Sequence, residues 1–148
     1  MSSINEPTTV ALKYPARSTQ SPVVLCIDDD PHVSDVIRDR LDIYNVKLLS
    51  AYDGMQGFWL AVTHKPDVII TDLRMPMGDG AAIIESLKRN AKTASIPIIV
   101  LTAKCESGIQ RHMEKIGADS FLTKPILFND LLEELRRYIK VQPKEEEG

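Results

Sequence analysis

Acidic, hydroxyl and amino side chains follow four of the apolar runs in this sequence, each directly after the run ends. Three consecutive aspartates, Asp28, Asp29 and Asp30, come after residues 23–27. The positions that follow residues 68–71, 96–101 and 120–123 are Asp72, Thr102 and Lys124. If the runs are neighbouring parallel strands, their carboxyl ends meet at one edge of a sheet, about 5 Å apart.

Several carboxylates at that spacing predict a cation site. They cannot all remain ionised unless a cation compensates them or some of their pKa values rise. Mg2+ suits such a cluster, because it binds through one or two carboxylates together with waters and phosphate oxygens. A carboxylate can attack phosphorus as a nucleophile, and phosphoryl transfer depends mainly on positioning and charge neutralisation. Lys124 would supply a second cation and Thr102 a hydroxyl donor, so the pattern indicates a phosphoryl-transfer site.

The segments around these positions predict the elements that would hold them. Five short runs rich in Val, Ile and Leu indicate strands, most of them buried on both faces, over residues 23–27, 46–50, 68–71, 96–101 and 120–123. Amphipathic segments fill the gaps: a helix from Pro31 through Tyr44, helices capped by Asp53 and Asn129, one marked by Ile83, Ile84 and Leu87, and one that stops at Gly117. The alternation predicts an α/β fold, a doubly wound five-stranded parallel sheet with five helices.

Length and composition fit one globular domain. The chain has 148 residues, of which 43% are hydrophobic and 26% charged, and its net charge is -3. It has no basic block for nucleic-acid binding and no apolar run near the ~20 residues that span a membrane. Cys26 and Cys105 are far apart in sequence, which argues against a disulfide and favours a cytoplasmic location. Residues 1–21 indicate a flexible leader, 22–141 the folded domain and 142–148 an acidic tail.

Four motifs, in this order and at these separations, resemble the receiver (CheY-like) domain of two-component response regulators. They are VLCIDDDP at 24–31, IITDLRMPMGDG at 69–80, VLTA at 100–103 and FLTKP at 121–125. The resemblance covers roughly residues 21–141. It implies a flavodoxin-like fold with strand order 2-1-3-4-5.

The resemblance also implies a role for each residue at the strand ends. Asp72 would be the phosphoacceptor, and Lys124 would pair with its phosphoryl group. Asp29, Asp72 and the main-chain carbonyl of Arg74 would bind Mg2+, while Asp28 would hold a metal-bound water. The chain would then be a signalling phosphoacceptor, not an enzyme, that assists its own phosphorylation and dephosphorylation.

The implied output is a change of protein-binding surface. Thr102 would move toward the phosphoryl group and Phe121 would turn inward, altering the face formed by the fourth helix, fifth strand and fifth helix. The implied partners are a sensor histidine kinase or histidine phosphotransfer protein and a downstream protein target. Arg136 and Arg137 on the last helix, with Asp119 before the fifth strand, would allow a homodimer through that face. The family also places a cis bond before the proline that is Pro125 here.

Alternative interpretations stay open from the sequence. A haloacid-dehalogenase-like phosphatase also uses a strand-end aspartate, Mg2+, a hydroxyl residue and a lysine, but its Asp-x-Asp-x-Thr motif at the first strand is missing here. A degenerate receiver would act as a binding module without taking phosphate. Asp30 alone fits a helix cap, and Phe121 alone fits core packing.

Overall fold

Five parallel strands form one sheet in the computed structural model, which describes residues 21–75, 78–103 and 107–145. We number them in chain order as β1 Val23–Ile27, β2 Lys47–Ala51, β3 Val68–Asp72, β4 Ile98–Thr102 and β5 Ser120–Thr123. Across the sheet the order is β2-β1-β3-β4-β5. The strands β3 and β4 are buried along their whole length, because helices cover both faces of the sheet. The predicted fold and strand order are therefore confirmed.

The described residues form five helices, of which the first four connect successive strands and the fifth follows β5: α1 Pro31–Leu41, α2 Gly54–His64, α3 Gly80–Arg89, α4 Ser107–Ile116 and α5 Phe128–Arg136. Asp30 and Asp53 cap α1 and α2, where they accept the N–H groups of His32 (2.9 Å) and Gln56 (2.8 Å). Gly117 follows α4 with a φ of 120°, which residues with side chains rarely adopt. None of the described helices is long and apolar enough to span a bilayer.

Two helix boundaries differ from the prediction. The helix α1 ends before Tyr44, which forms an isolated bridge with Pro143 near the C-terminus instead. The helix α5 begins at Phe128, so the predicted cap Asn129 lies inside its first turn. Leu127 takes the cap position without a side-chain hydrogen bond. This helix end is anchored by apolar packing, since Phe128 contacts the core.

The sheet separates two hydrophobic cores. The first core lies between the sheet and helices α1 and α5, and the second between the sheet and helices α2, α3 and α4. Successive side chains alternate along a strand, so Ile99 belongs to the first core and Val100 to the second. Each fully buried aliphatic side chain contributes roughly 1.5–3 kcal/mol. The two cores together fix the strands whose ends form the polar edge.

The C-terminal segment after α5 is partly paired with the body of the domain. The Asn45 N–H donates to the Gln142 carbonyl (2.7 Å), and the Lys144 N–H donates to the Ile43 carbonyl (2.9 Å). Residues 142–144 therefore belong to the folded unit, although the sequence placed them in a tail. Residues 146–148 and 1–20 lie outside the described residues.

Candidate functional site

The carboxyl ends of β1 and β3 bring three carboxylates together. Ile27 pairs with Thr71 across these strands, so the residues that follow them, Asp28 and Asp72, lie side by side. Oxygens of Asp28, Asp29 and Asp72 lie within 4.8 Å of one another. Asp28 and Asp72 are buried, with 1% and 7% of their surface exposed, whereas Asp29 is exposed. The predicted acidic cluster is present.

Lys124 reaches this cluster from the end of β5. Its backbone N–H donates to the Thr102 carbonyl (2.8 Å), which extends the pairing of β4 and β5 to the edge of the sheet. Its ammonium nitrogen lies 3.1 Å from an Asp28 oxygen and 3.5 Å from an Asp72 oxygen. One cation is thus shared by two buried carboxylates. The peptide bond between Lys124 and Pro125 is cis, as the resemblance implied.

Burial and crowding shift the pKa values in this group. Burial raises the pKa of Asp72 and the Asp28 charge raises it further, against the opposing effect of Lys124. Burial alone would lower the pKa of Lys124, but the hydrogen bond and charge of Asp28, with the charge of Asp72, raise it overall. Lys124 therefore remains a cation at neutral pH, while ionised Asp72 is disfavoured where it stands. A second cation at this edge would relieve that cost.

Backbone groups fix the position of Asp28. Its N–H donates to the Ala51 carbonyl (3.0 Å), and its Oδ1 atom accepts the N–H of Asp30 (2.9 Å). The sequence predicted Asp30 as a helix cap, but it did not predict the hydrogen bond that the Asp30 backbone N–H donates to Asp28. The available signal was its spacing, because a residue two positions after an aspartate can donate its N–H to that side chain.

The donor set fits a hard divalent cation. Its three carboxylates exceed the single positive charge that Lys124 supplies. Oxygen ligands of Mg2+ lie about 2.0–2.1 Å from the ion, hence up to ~4.2 Å apart. Carboxylate oxygens of Asp28, Asp29 and Asp72 lie within 4.8 Å of one another, so a small side-chain adjustment would bring them to that spacing. Arg74 is also close, since its backbone N–H hydrogen-bonds to Asp72 and lowers the pKa of that group.

Thr102 and Phe121 lie on the two strands next to the acidic cluster. Asp72 pairs with Leu101, so Thr102 stands one residue further along β4, at the same edge. It is buried, with 6% of its surface exposed. Phe121 is half-buried in β5 and packs against the second core. Thr102 thus lies at the predicted edge of the sheet, and the switching role of Thr102 and Phe121 stays a prediction.

The match to a protein family decides what kind of domain carries this site. A family model for the response regulator receiver domain matches residues 24–136. The chain belongs to this family. It is a CheY-like phosphoacceptor switch of two-component signalling, and a haloacid-dehalogenase-like phosphatase is not favoured.

The chain resembles part of several longer curated proteins. It is 36% identical over 119 residues to the DNA-binding dual master transcriptional regulator RpaA of Synechocystis sp., a match that covers 80% of this chain and 49% of that protein. It is 30% identical to hybrid signal transduction histidine kinase D of Dictyostelium discoideum, over 75% of this chain and 7% of that protein. The chain therefore spans about half the length of RpaA and only a small part of the kinase.

Solved structures show the same fold. The Vibrio cholerae chemotaxis protein CheY4 matches with a TM-score of 0.76 and 26% identity, over 80% of this chain and 99% of that one. The receiver domain of the sensor histidine kinase PA1611 from Pseudomonas aeruginosa matches with a TM-score of 0.70 and 25% identity, over 80% and 97%. That receiver is described with a magnesium ion coordinated in its active-site cleft.

Proposed function

We propose that Asp72 is the phosphoacceptor of this receiver domain and that its donor is a histidine kinase or histidine phosphotransfer protein. An Asp72 oxygen would attack phosphorus while the P–N bond of the donor phosphohistidine breaks and the imidazole leaves with a proton from solvent. The observation that carries the proposal is a buried carboxylate at the end of β3, 3.5 Å from the Lys124 ammonium. The neighbouring Asp28 already accepts hydrogen bonds at both oxygens, from Asp30 and Lys124.

We assign the Mg2+ ligands to Asp29, Asp72 and the main-chain carbonyl of Arg74, and a metal-bound water to Asp28. When bound, the ion would neutralise charge on the phosphoryl oxygens. The support is the acidic cluster and its single compensating lysine. Lys124 would hold the transferred phosphoryl group from the opposite side.

A groove of about 410 Å³ beside Lys124 offers the phosphodonor a docking surface. It lies between α1 and the segment that leads from Lys124 into α5, and its apolar lining consists of Val33, Val36, Ile37, Pro125, Ile126, Leu127, Phe128 and Leu131. Leu127 and Val36 are 64% and 41% exposed, so the groove presents apolar surface that a partner would bury. A donor with an apolar helical face beside its phosphohistidine would fit the groove and reach Asp72 from its Lys124 end. We expect Val36→Asp to slow transfer from a protein donor and to leave labelling by acetyl phosphate unchanged.

The proposed output is a population shift at Thr102 and Phe121. A phosphoryl group on Asp72 would draw the Thr102 hydroxyl, and Phe121 would turn into the space this movement leaves. The half-buried position of Phe121 leaves its ring room to change orientation. The face of α4, β5 and α5 would then change for a downstream protein. The same site would assist hydrolysis of its own acyl phosphate.

The same face is proposed for a homodimer. Asp119 accepts hydrogen bonds from the Ile98 N–H (2.8 Å) and the Lys88 ammonium (3.3 Å) within its own chain. Arg136 donates to the Val141 carbonyl (3.4 Å). Pairing between Arg136 and Asp119 of two copies would therefore have to compete with these contacts. Sedimentation of the phosphorylated and unphosphorylated protein tests whether it does.

The remaining partner assignments follow from charge and from the thiol. We propose that this domain binds protein and not nucleic acid, because its net charge is -3. The buried free thiol of Cys26 accords with a reducing, cytoplasmic location.

The phosphoacceptor assignment is tested by labelling with acetyl phosphate and Mg2+, followed by intact-mass spectrometry. We expect one added phosphoryl group per wild-type chain, and none with Asp72→Asn or with a chelator. Asp35→Asn makes the same chemical change at an exposed position and should label like wild type. An Asp72→Asn protein that still gains the phosphoryl group would refute the assignment. A wild-type protein that gains none would indicate a degenerate receiver.

A further inference from the structure

Gly80 lies against the main chain of the phosphoacceptor strand. It is the buried first residue of α3, and its N–H donates to the Leu73 carbonyl (3.1 Å). A Cβ atom at this position would lie 2.6 Å from the Leu73 oxygen and 2.7 Å from the Asp72 oxygen. Cβ atoms do not approach backbone oxygens so closely, so any larger residue would have to push these groups apart.

The requirement for glycine at this position is one of space and not of backbone conformation. Among the described glycines, Gly117 has a positive φ and Gly80 does not. A positive φ is therefore not what requires glycine at position 80. What alanine could not do is keep α3 at its present distance from β3.

The atoms that would obstruct a side chain here are held in place by the sheet. They belong to the backbone of Asp72 and Leu73, and the Leu73 N–H is bonded to the Leu101 carbonyl (3.0 Å). At Gly54, by contrast, the nearest neighbour is the flexible side chain of Ile83. Crowding at Gly54 can be relieved by a side-chain rotation, whereas crowding at Gly80 must move main chain.

The main chain that would move carries Arg74. The bond between the Gly80 N–H and the Leu73 carbonyl closes the loop between β3 and α3. Within that loop Arg74 pairs with Asp79 in a short antiparallel ribbon. The position of the Arg74 backbone relative to Asp72 therefore depends on how closely Gly80 approaches.

We infer that Gly80 is a positioning residue of the phosphoryl-transfer site. Because it lacks a Cβ atom, it lets the loop close and holds the Arg74 main chain beside Asp72. The inference rests on the proposed function, in which the Arg74 carbonyl is a Mg2+ ligand. It assigns to Gly80 an effect on Mg2+ affinity that is separate from its effect on the stability of the fold.

The test is the Mg2+ dissociation constant of the full chain, measured by calorimetry for wild type and three glycine variants. Gly80→Ala should bind Mg2+ about 10-fold more weakly or worse, as found when groups that orient metal ligands are changed. Gly54→Ala is the matched control, because its added Cβ atom crowds only the flexible side chain of Ile83 and no main chain. Gly108→Ala is the neutral control, since nothing lies within 4 Å of a Cβ there. Both controls should bind like wild type.

Thermal unfolding with and without Mg2+ covers the case in which Gly80→Ala is only partly folded. Mg2+ stabilises a chain by RT ln(1 + [Mg2+]/Kd), where Kd is the dissociation constant of the folded state, so Gly80→Ala should gain less than Gly54→Ala at the same Mg2+ concentration. Equal gains, or equal dissociation constants, would overturn the inference and leave the proposed function standing. A wild-type chain that binds no Mg2+ would overturn the proposed metal site and this inference with it.

Discussion

Replacement of Asp72 by asparagine is expected to stabilise the metal-free domain while it abolishes phosphorylation. Asp72 is buried beside Asp28, and its pKa is raised, chiefly by burial and then by the Asp28 charge. A raised pKa means that the folded state disfavours the ionised carboxylate. The amide of asparagine is nearly isosteric and carries no charge, so this cost disappears.

The opposing charge effects can be compared from the distances. Carboxylate oxygens of Asp28 and Asp72 within 4.8 Å repel by at least about 3.5 kcal/mol at an effective dielectric of about 20. Lys124, 3.5 Å from Asp72, attracts it by about 4.7 kcal/mol on the same scale. The repulsion from Asp28 and the attraction to Lys124 nearly cancel. Burial of the carboxylate therefore decides whether the charge of Asp72 stabilises or destabilises the fold. We therefore expect Asp72→Asn to raise the free energy of unfolding by about 1 kcal/mol without metal.

Urea unfolding with a chelator at neutral pH measures this difference, and Asp35→Asn is the surface control. That substitution removes an exposed charge 3.3 Å from Arg38 and should change stability by less than about 1 kcal/mol. Because the pKa of Asp72 is higher in the folded state than its ordinary value of 3.8, this carboxyl group contributes stability that is fully present below pH 3.8. The contribution is lost as the pH rises through the pKa of the folded state. The advantage of Asp72→Asn should therefore shrink as the pH falls toward 3.8.

Magnesium should reverse the order of stability. At a Mg2+ concentration 100 times its dissociation constant, the wild-type domain gains about 2.7 kcal/mol in free energy of unfolding, and the asparagine variant should gain far less. If Asp72→Asn were less stable than wild type in chelator at neutral pH, the attraction of Lys124 would outweigh burial and repulsion, and our account of the site would fail.

Three further experiments test other parts of the domain. Lys124→Met should lower the free energy of unfolding by about 2–3 kcal/mol in chelator, because Asp28 loses its cationic partner; an unchanged urea midpoint would contradict this. Burial raises the pKa of Cys26 to about 12, so its peptide should resist iodoacetamide at about pH 8 until the chain unfolds, and fast labelling of the native protein would contradict this. Arg74 and Lys104 stand two positions after Asp72 and Thr102, and Lys104 lies outside the described residues. Arg74→Ala combined with Lys104→Ala should change the rate of acyl-phosphate hydrolysis, since cations attract its oxygens, and equal rates would refute this.

The fold and most of the site could be predicted because buried parallel strands leave a strong mark in sequence. Unbroken apolar runs identify the strands, and the residue after each run must lie at the common edge. Asp28, Asp72 and Lys124 were found in this way, and the structure places them within ion-pair distance. The predicted start of β4 at residue 96 is wrong, because Pro97 has no N–H for a ladder and the strand starts after it, at Ile98.

Features that depend on tertiary contacts could not be predicted from the sequence. Pairing of Gln142 with Asn45 joins segments almost a hundred positions apart and has no local pattern. The tight approach of Gly80 to Asp72 is a matter of distance between main chains, and a glycine at a helix start gives no hint of it. The packing of Phe128 that replaces a polar cap at α5 is likewise visible only once α1 lies beside it.

The division of the core by the sheet has a consequence for mutational energetics. Ile99 and Val100 are joined by one peptide bond, yet they contact different sets of side chains on opposite faces. Losses from Ile99→Val and Val100→Ala should therefore add, as they do for residues without shared partners. Ile99 and Leu135, far apart in the chain but members of one core, should instead show a coupling energy. In this domain, proximity along the chain is a poor guide to which substitutions influence each other.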